Sequence, residues 1–306
     1  MSADHGTVVS VMDVGGTHVS AANVDLSTRT ILPGQSVRSP LDSNAGVEEF
    51  VTTLVGCAAR LPTSPSRRWS IAVPGPFDYE QGIAQYEGVG KFDALRGFDL
   101  RAALAEAMPG AGAIGFHNDA DAFGMGEWWV GAARGRRRVV GITLGTGVGS
   151  CFVENGRALR AGPGVPPEGR INALHHAGKP LEETISRQAL RQAYAEAAGE
   201  SSASVDVKEI ARRAREGDRT AVAVFEQTFH TLGTVLAPIL AAFEPEMLVV
   251  GGSIAASWDL IVKPLLSGLC EADSSGIDQF AVEPAQYPAV APLLGAAYMA
   301  TLGHNT

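Results

Sequence analysis

The sequence predicts an α/β fold in two lobes around a shared cleft, and three observations carry that prediction. Residues 139–144 read as a buried strand, enter the glycine turn Gly145-Thr146-Gly147, and return as a strand over 150–153. Residues 7–13 and 19–24 repeat this strand, glycine turn and strand around Gly15-Gly16-Thr17. An internal echo of that kind suits two lobes of related build, each offering one turn to the cleft. The length of 306 residues is also large for a single hydrophobic core.

The elements follow in order. Residues 47–61 show helical apolar spacing. Residues 69–73 form a strand stopped by Pro74-Gly75-Pro76, a combination that forces a fixed turn. Asp99 is the N-cap candidate for a helix over 99–108. A short strand at 114–117 ends in Asn118-Asp119-Ala120 and gives way to a helix over 120–131. The stretch 161–180 is irregular, with glycines, prolines, His175 and His176, and long loops of this kind are usually functional or mobile. Helices are expected at 181–198, 205–216 and 219–243. Residues 247–250 form a buried strand closed by Gly251-Gly252-Ser253, with a helix over 258–270 behind it. After Pro288, residues 290–302 read as a small-residue helix. The N-terminal lobe is therefore expected at 1–117, with a C-terminal helix at about 291–306 packing back on it, and the larger C-terminal lobe at 118–290.

Composition narrows the function. An apolar fraction of 45% and a charged fraction of 19% suit a globular enzyme. The net charge of −9 argues against a nucleic-acid partner, which needs a basic face. Arg134, Arg136, Arg137 and Arg138 read as a solvated loop before a strand. Cys57, Cys151 and Cys270 are scattered without CxxC spacing, which suggests neither a disulfide framework nor a structural zinc site. No apolar run nears the roughly 20 residues of a membrane span. No basic segment followed by an apolar one precedes Val8, so a cytoplasmic location is expected.

Several strand ends can carry chemistry. Glycine turns let a ligand approach backbone N–H groups, and successive N–H groups form an anion nest, to which Thr146 can add a hydroxyl. Asp119 has two readings: an N-cap for the following helix, or a carboxylate at the sheet's carboxyl edge that takes a proton from a substrate hydroxyl. Asp13 either caps its hairpin turn or contacts Mg²⁺ through water, because a carboxylate beside phosphate is repelled without a cation between them. Gly251-Gly252-Ser253 can expose bare backbone to a nucleotide. No Walker A sequence and no GxGxxG at the start of a βαβ unit is present.

These segments resemble a known family. Asp13-Val14-Gly15-Gly16-Thr17 resembles the first phosphate motif of the sugar kinase, Hsp70 and actin superfamily, and Leu144-Gly145-Thr146-Gly147-Val148-Gly149 its second. Val249-Val250-Gly251-Gly252-Ser253 is similar to its adenosine motif. Pro74-Gly75-Pro76 and Asn118-Asp119-Ala120-Asp121-Ala122 with Glu127 resemble the ROK family, which includes bacterial glucokinases. The resemblance implies a two-lobed ribonuclease H-like fold and ATP–Mg²⁺-dependent phosphorylation of a sugar hydroxyl. Asp119 would be the general base, Asn118 and Gly75 would meet the same sugar, and Glu168 and Glu182 fall where the family places two glutamates.

The chain also departs from the family. Its zinc cluster of cysteines is absent, with residues 173–180 in that place, so no zinc is expected. Glu168 is followed by Gly169-Arg170 and not by the family's histidine, for which His175 or His176 could substitute, although paired histidines in a polar loop are more often solvated. Tyr86-Glu87-Gly88-Val89-Gly90-Lys91 stands where the family has a sugar-binding asparagine, which turns Lys91 or Glu87 towards the substrate. The expectation is an ATP-dependent kinase of a hexose or a sugar-like cyclitol. Its alternatives are a glucokinase using ATP or polyphosphate and, more remotely, a sugar-responsive regulator without catalysis. The regulators carry a helix-turn-helix ahead of the kinase-like core, and Asp13 comes early for one. A homodimer is the common assembly among similar proteins.

Overall fold

The structure, a computed structural model, describes residues 7–303 apart from 65, 89, 109–110, 202–204 and 273–279. It divides into unit 1, Met1–Gly131 with Ala289–Thr306, and unit 2, Ala132–Pro288. In unit 1 the strands are β1 (Val8–Val14), β2 (His18–Asp25), β3 (Thr30–Pro40), β4 (Trp69–Val73), the short pair β5 (Phe77–Asp78) and β6 (Ile83–Ala84), and β7 (Ile114–Asn118). The helices are α1 (Val47–Ala58), α2 (Leu100–Ala107) and α3 (Asp119–Trp129). The main sheet runs β3-β2-β1-β4-β7, antiparallel through β3, β2 and β1 and parallel through β1, β4 and β7.

β1 is apolar almost throughout because both of its faces are covered. Side chains alternate across a strand. Met12 and Val14 accordingly join one core with Phe50 and Leu54 of α1 and Leu100 and Leu104 of α2. Val9 and Val11 join another with Ala122 and Trp129 of α3 and Leu293, Leu294 and Ala296 of the C-terminal helix, Ala291–Met299.

That second core changes the expected boundary at 117/118. α3 stays with unit 1 because it packs backbone to backbone on the C-terminal helix. A Cβ at Gly126 would overlap the Ala291 carbonyl, and one at Gly295 would overlap the Ala122 carbonyl. The C-terminal helix also packs on β1, β2 and β4. Residues 304–306 of the expected terminal helix lie outside the described residues, as does Val89.

Unit 2 repeats the plan. Its strands are β8 (Arg138–Leu144), β9 (Val148–Glu154), β10 (Arg157–Leu159), the short pair β11 (His175–His176) and β12 (Lys179–Pro180), β13 (Met247–Gly251) and β14 (Ala281–Pro284). Their order is β10-β9-β8-β13-β14, again antiparallel through the first three and parallel through the last three. The sheet packs on α4 (Glu182–Ile185), α5 (Arg187–Ala198), α6 (Val207–Arg215), α7 (Arg219–Phe243) and α8 (Trp258–Ala272), with Phe225, Phe229, Leu232 and Leu265 in its core. One helix was expected over 181–198, but the chain breaks at Ser186, whose Oγ accepts from Ala189 N–H and starts α5 afresh. The irregular stretch 161–180 closes in the β11–β12 hairpin, with Ala177 and Gly178 at positive φ in its turn.

Candidate active site

In unit 1 the candidate residues Asp13, Asn118 and Asp119 gather at the carboxyl ends of the parallel strands. The register pairs Asp13 of β1 with Ala72 of β4, and Val73 of β4 with Asn118 of β7. Asn118 turns out to be the helix cap: its Oδ1 accepts from the N–H groups of Ala120 and Asp121, each at 3.1 Å. Its Nδ2 donates to the Tyr79 hydroxyl at 3.0 Å. Capping of α3 is thus met mainly by the neighbour of Asp119. Asp119 Oδ1 still accepts from Ala120 N–H at 2.9 Å.

Asp119 is partly buried, and burial pushes its carboxyl up, with the Lys91 ammonium drawing it back down. Asp13 is pushed up to about 7, first by burial and then by the charge of Asp119, against the pull of Arg38. A buried carboxyl raised by a neighbouring carboxylate, as Asp13 is by Asp119, is a place where a divalent cation would relieve repulsion. Among the described residues no group of three or more His, Cys, Asp or Glu could hold a metal ion. Mg²⁺ fits such a sparse donor set, because it keeps waters and takes substrate phosphates as ligands.

The turn at Gly75 is supported from outside. Tyr86 Oη donates to Pro74 O at 2.9 Å, and Tyr79 Oη lies 3.4 Å from Val73 O. The first glycine turn is closed by Gly15 N–H donating to His18 O at 2.9 Å, with Thr17 Oγ1 2.9 Å from His18 Nδ1. A side chain at Gly16 would meet open space. Tyr79 and His18 played no part in the sequence reading, since neither stands in a glycine motif.

In unit 2 the second glycine turn and the β13 strand end adjoin. Gly145 N–H donates to Gly147 O at 3.0 Å, and a Cβ on Gly145 would lie 3.7 Å from Ser253 Oγ. Gly252, at φ 86°, has no room for a side chain, because a Cβ would strike the Leu144 backbone. Thr146 and Ser253 are exposed. Glu182 sits behind the turn: its Oε1 accepts from Val148 N–H at 2.9 Å and lies 2.6 Å from where a Gly147 Cβ would be. Glu168 is exposed at φ 57° in a segment tied to β9, where Ser150 Oγ donates to Gly169 O and accepts from Ile171 N–H. His175 is exposed and His176 partly buried, both in the β11–β12 hairpin. Glu87 is paired with Arg96 at 2.8 Å on the surface.

Known proteins carry the same plan. Residues 9–302 match the ROK family. A glucokinase of Thermotoga maritima is 27% identical over 275 residues, 83% of this chain and 84% of the other. An N-acetyl-D-glucosamine kinase of Vibrio cholerae is 25% identical, over 83% of this chain and 86% of its own. Among solved structures, a ROK hexokinase from Thermus thermophilus superposes with a TM-score of 0.77 at 26% identity, covering 96% of this chain and 98% of the other.

Proposed function

The chain belongs to the ROK family, and from that premise we propose that it is an ATP-dependent kinase phosphorylating a hydroxyl of a hexose or a sugar-like cyclitol. The observation that carries the reading is the division of labour at the end of β7. Asn118 caps α3, so the partly buried Asp119 carboxylate is available to a substrate.

Asp119 accepts the proton of the acceptor hydroxyl as the γ-phosphoryl group moves in line to the oxygen. Its raised affinity for a proton brings it closer to a working base than an ordinary surface carboxylate. Gly15, Gly16 and Thr17, with Gly145, Thr146 and Gly147, hold phosphates through the main chain, and Gly251, Gly252 and Ser253 receive the nucleoside. Asp13 is the residue that would hold Mg²⁺ through water, and a bound ion would supply charge neutralisation at the phosphates. Asn118 Nδ2, Gly75 and Lys91 face the acceptor in unit 1, and Glu168, Glu182, His175 and His176 are the acceptor candidates of unit 2. Of these, Glu182 spends one oxygen on Val148 N–H.

The cyclitol reading has its own support. A glucose site in this family uses a histidine after the segment of Glu168, where this chain has Gly169-Arg170. A cyclitol lacks the ring oxygen and anomeric hydroxyl that such contacts read. A coupled ADP-release assay with ATP–Mg²⁺ against glucose, mannose, N-acetylated hexosamines, fructose and C7-cyclitols tests both levels. Turnover on any of them supports the kinase. Turnover confined to cyclitols supports the finer reading, and high-affinity glucose phosphorylation removes it. Silence on the whole panel, with wild-type nucleotide binding absent, overturns the kinase.

A further inference from the structure

We infer that Arg187 is a donor-specificity residue, whose guanidinium binds the phosphate chain of a nucleoside di- or triphosphate beside Gly145 and Ser253. This rests on the kinase reading and goes beyond it, because Arg187 lies in none of the glycine motifs.

Arg187 opens α5, and its position is fixed at three points. Its N–H donates to Gly145 O at 2.9 Å. Its Nη2 donates to Ser253 Oγ at 3.0 Å. Its Nη1 lies 3.8 Å from Asp206 Oδ2. The guanidinium is thereby held where the second glycine turn meets the end of β13, the two strand ends that exposed backbone marks for a nucleotide.

The group is not used up there. A guanidinium has five N–H donors in a fixed fork. One goes to Ser253, one faces Asp206 at long range, and the Nε is shielded from solvent without a hydrogen-bond partner. The side chain as a whole is 38% exposed, so the fork is reachable. Charge along the turn also has a direction. The Glu182 carboxylate sits at Gly147 and Val148, while the Arg187 guanidinium sits at Gly145 and Ser253. A phosphate chain lying on the turn is therefore drawn towards its Gly145 and Ser253 end. Arginine binds phosphate with two parallel N–H bonds, which a lysine cannot imitate.

The competing role is a clamp that merely pins α5 to the turn. The two are separated by calorimetric titration of ATP, ADP and adenosine, without acceptor, into wild type, Arg187→Gln and Arg187→Lys, with melting temperatures to verify folding. Arg187→Gln keeps a donor for Ser253 and loses the charge. We expect it to weaken ATP and ADP about tenfold or more while adenosine stays within about twofold, and Arg187→Lys to fall between. Equal losses for adenosine and ATP make Arg187 a clamp and overturn the inference, as does unchanged ATP affinity in Arg187→Gln. A wild-type protein that binds no adenine nucleotide overturns the kinase reading itself, a result distinct from either.

Discussion

Asp119 and Asn118 share the end of one strand but not one task. A carboxylate that caps a helix is held by two or three backbone N–H groups and loses basicity. Here Asn118 takes the N–H groups of Ala120 and Asp121, and Asp119 accepts from Ala120 N–H alone through Oδ1, as the proposed base role requires. Asp119→Asn should cut phosphoryl transfer by about 10²–10⁴-fold and leave nucleotide affinity nearly intact. Single-turnover rates alongside titration would read this, and undiminished transfer would remove Asp119 as the base. Asn118→Ala should cost about 1 kcal/mol of stability through the lost cap, measured by denaturant unfolding. Asp13 supplies a pH signature. Its folded carboxyl titrates near 7, far above its ordinary value of 3.8, so between those pH values the folded state holds a proton that the unfolded chain has released. Stability of the Mg²⁺-free protein should therefore fall as pH rises through that window, the loss being complete above about 7. Asp13→Asn should flatten the fall in melting temperature between pH 5 and 8. Parallel curves for the two proteins would show that Asp13 is not the group responsible.

At the scale of elements, the glycine turns are tight for different reasons. Gly16 faces open space, whereas Gly252 packs on the backbone of Leu144 and Gly147 on the Glu182 carboxylate. Gly252→Ala should lose at least about 1–3 kcal/mol, because a positive φ and a backbone clash add together, while Gly16→Ala should leave the melting temperature almost unchanged and act on nucleotide affinity. A melting temperature for Gly252→Ala equal to wild type would contradict that packing. These turns were the most legible part of the sequence, since glycine between two apolar strands leaves a local mark. Asp99 was also legible as a cap, and its carboxylate accepts from Ala102 N–H at 2.8 Å. The edge strands β3 and β14 left no such mark: β3 is largely exposed and carries Pro33 and Gly34, which read as breakers and not as strand formers. Ser186 was hidden for another reason. A serine inside an alanine-rich helical run interrupts it only when its hydroxyl is recruited as a cap, and here the break is joined by the Arg187 N–H going to Gly145 O, a partner far away in the chain. The role of Arg187 was invisible for the same cause, because its partners Gly145, Asp206 and Ser253 are distant in the chain.

At the scale of the molecule, the two sheets have the same order and sense of strands, so the repeated hairpin seen in the sequence belongs to a repeated five-strand plan. What breaks the symmetry is the path of the chain. Unit 1 is completed only by residues after Pro288, since Leu293, Leu294 and Ala296 cover Val9, Val11 and Ala72. The boundary at 117/118 could not be read because Gly126 and Gly295 form one notch from distant parts of the sequence, and nothing local couples them. A chain ending at Pro288 would leave one face of the unit 1 sheet bare, together with Ala122 and Trp129. Exposing that many buried side chains, at roughly 1.5–3 kcal/mol for each larger one, exceeds the margin by which domains of this size are stable. The tryptophans make the outcome visible: Trp69, Trp128 and Trp129 lie in unit 1 and Trp258 in unit 2. The truncated protein should show red-shifted fluorescence and lose the cooperative melting transition that follows it. A truncated chain with wild-type fluorescence and an unchanged melting temperature would mean that the C-terminal helix is an accessory and not the closing element of unit 1.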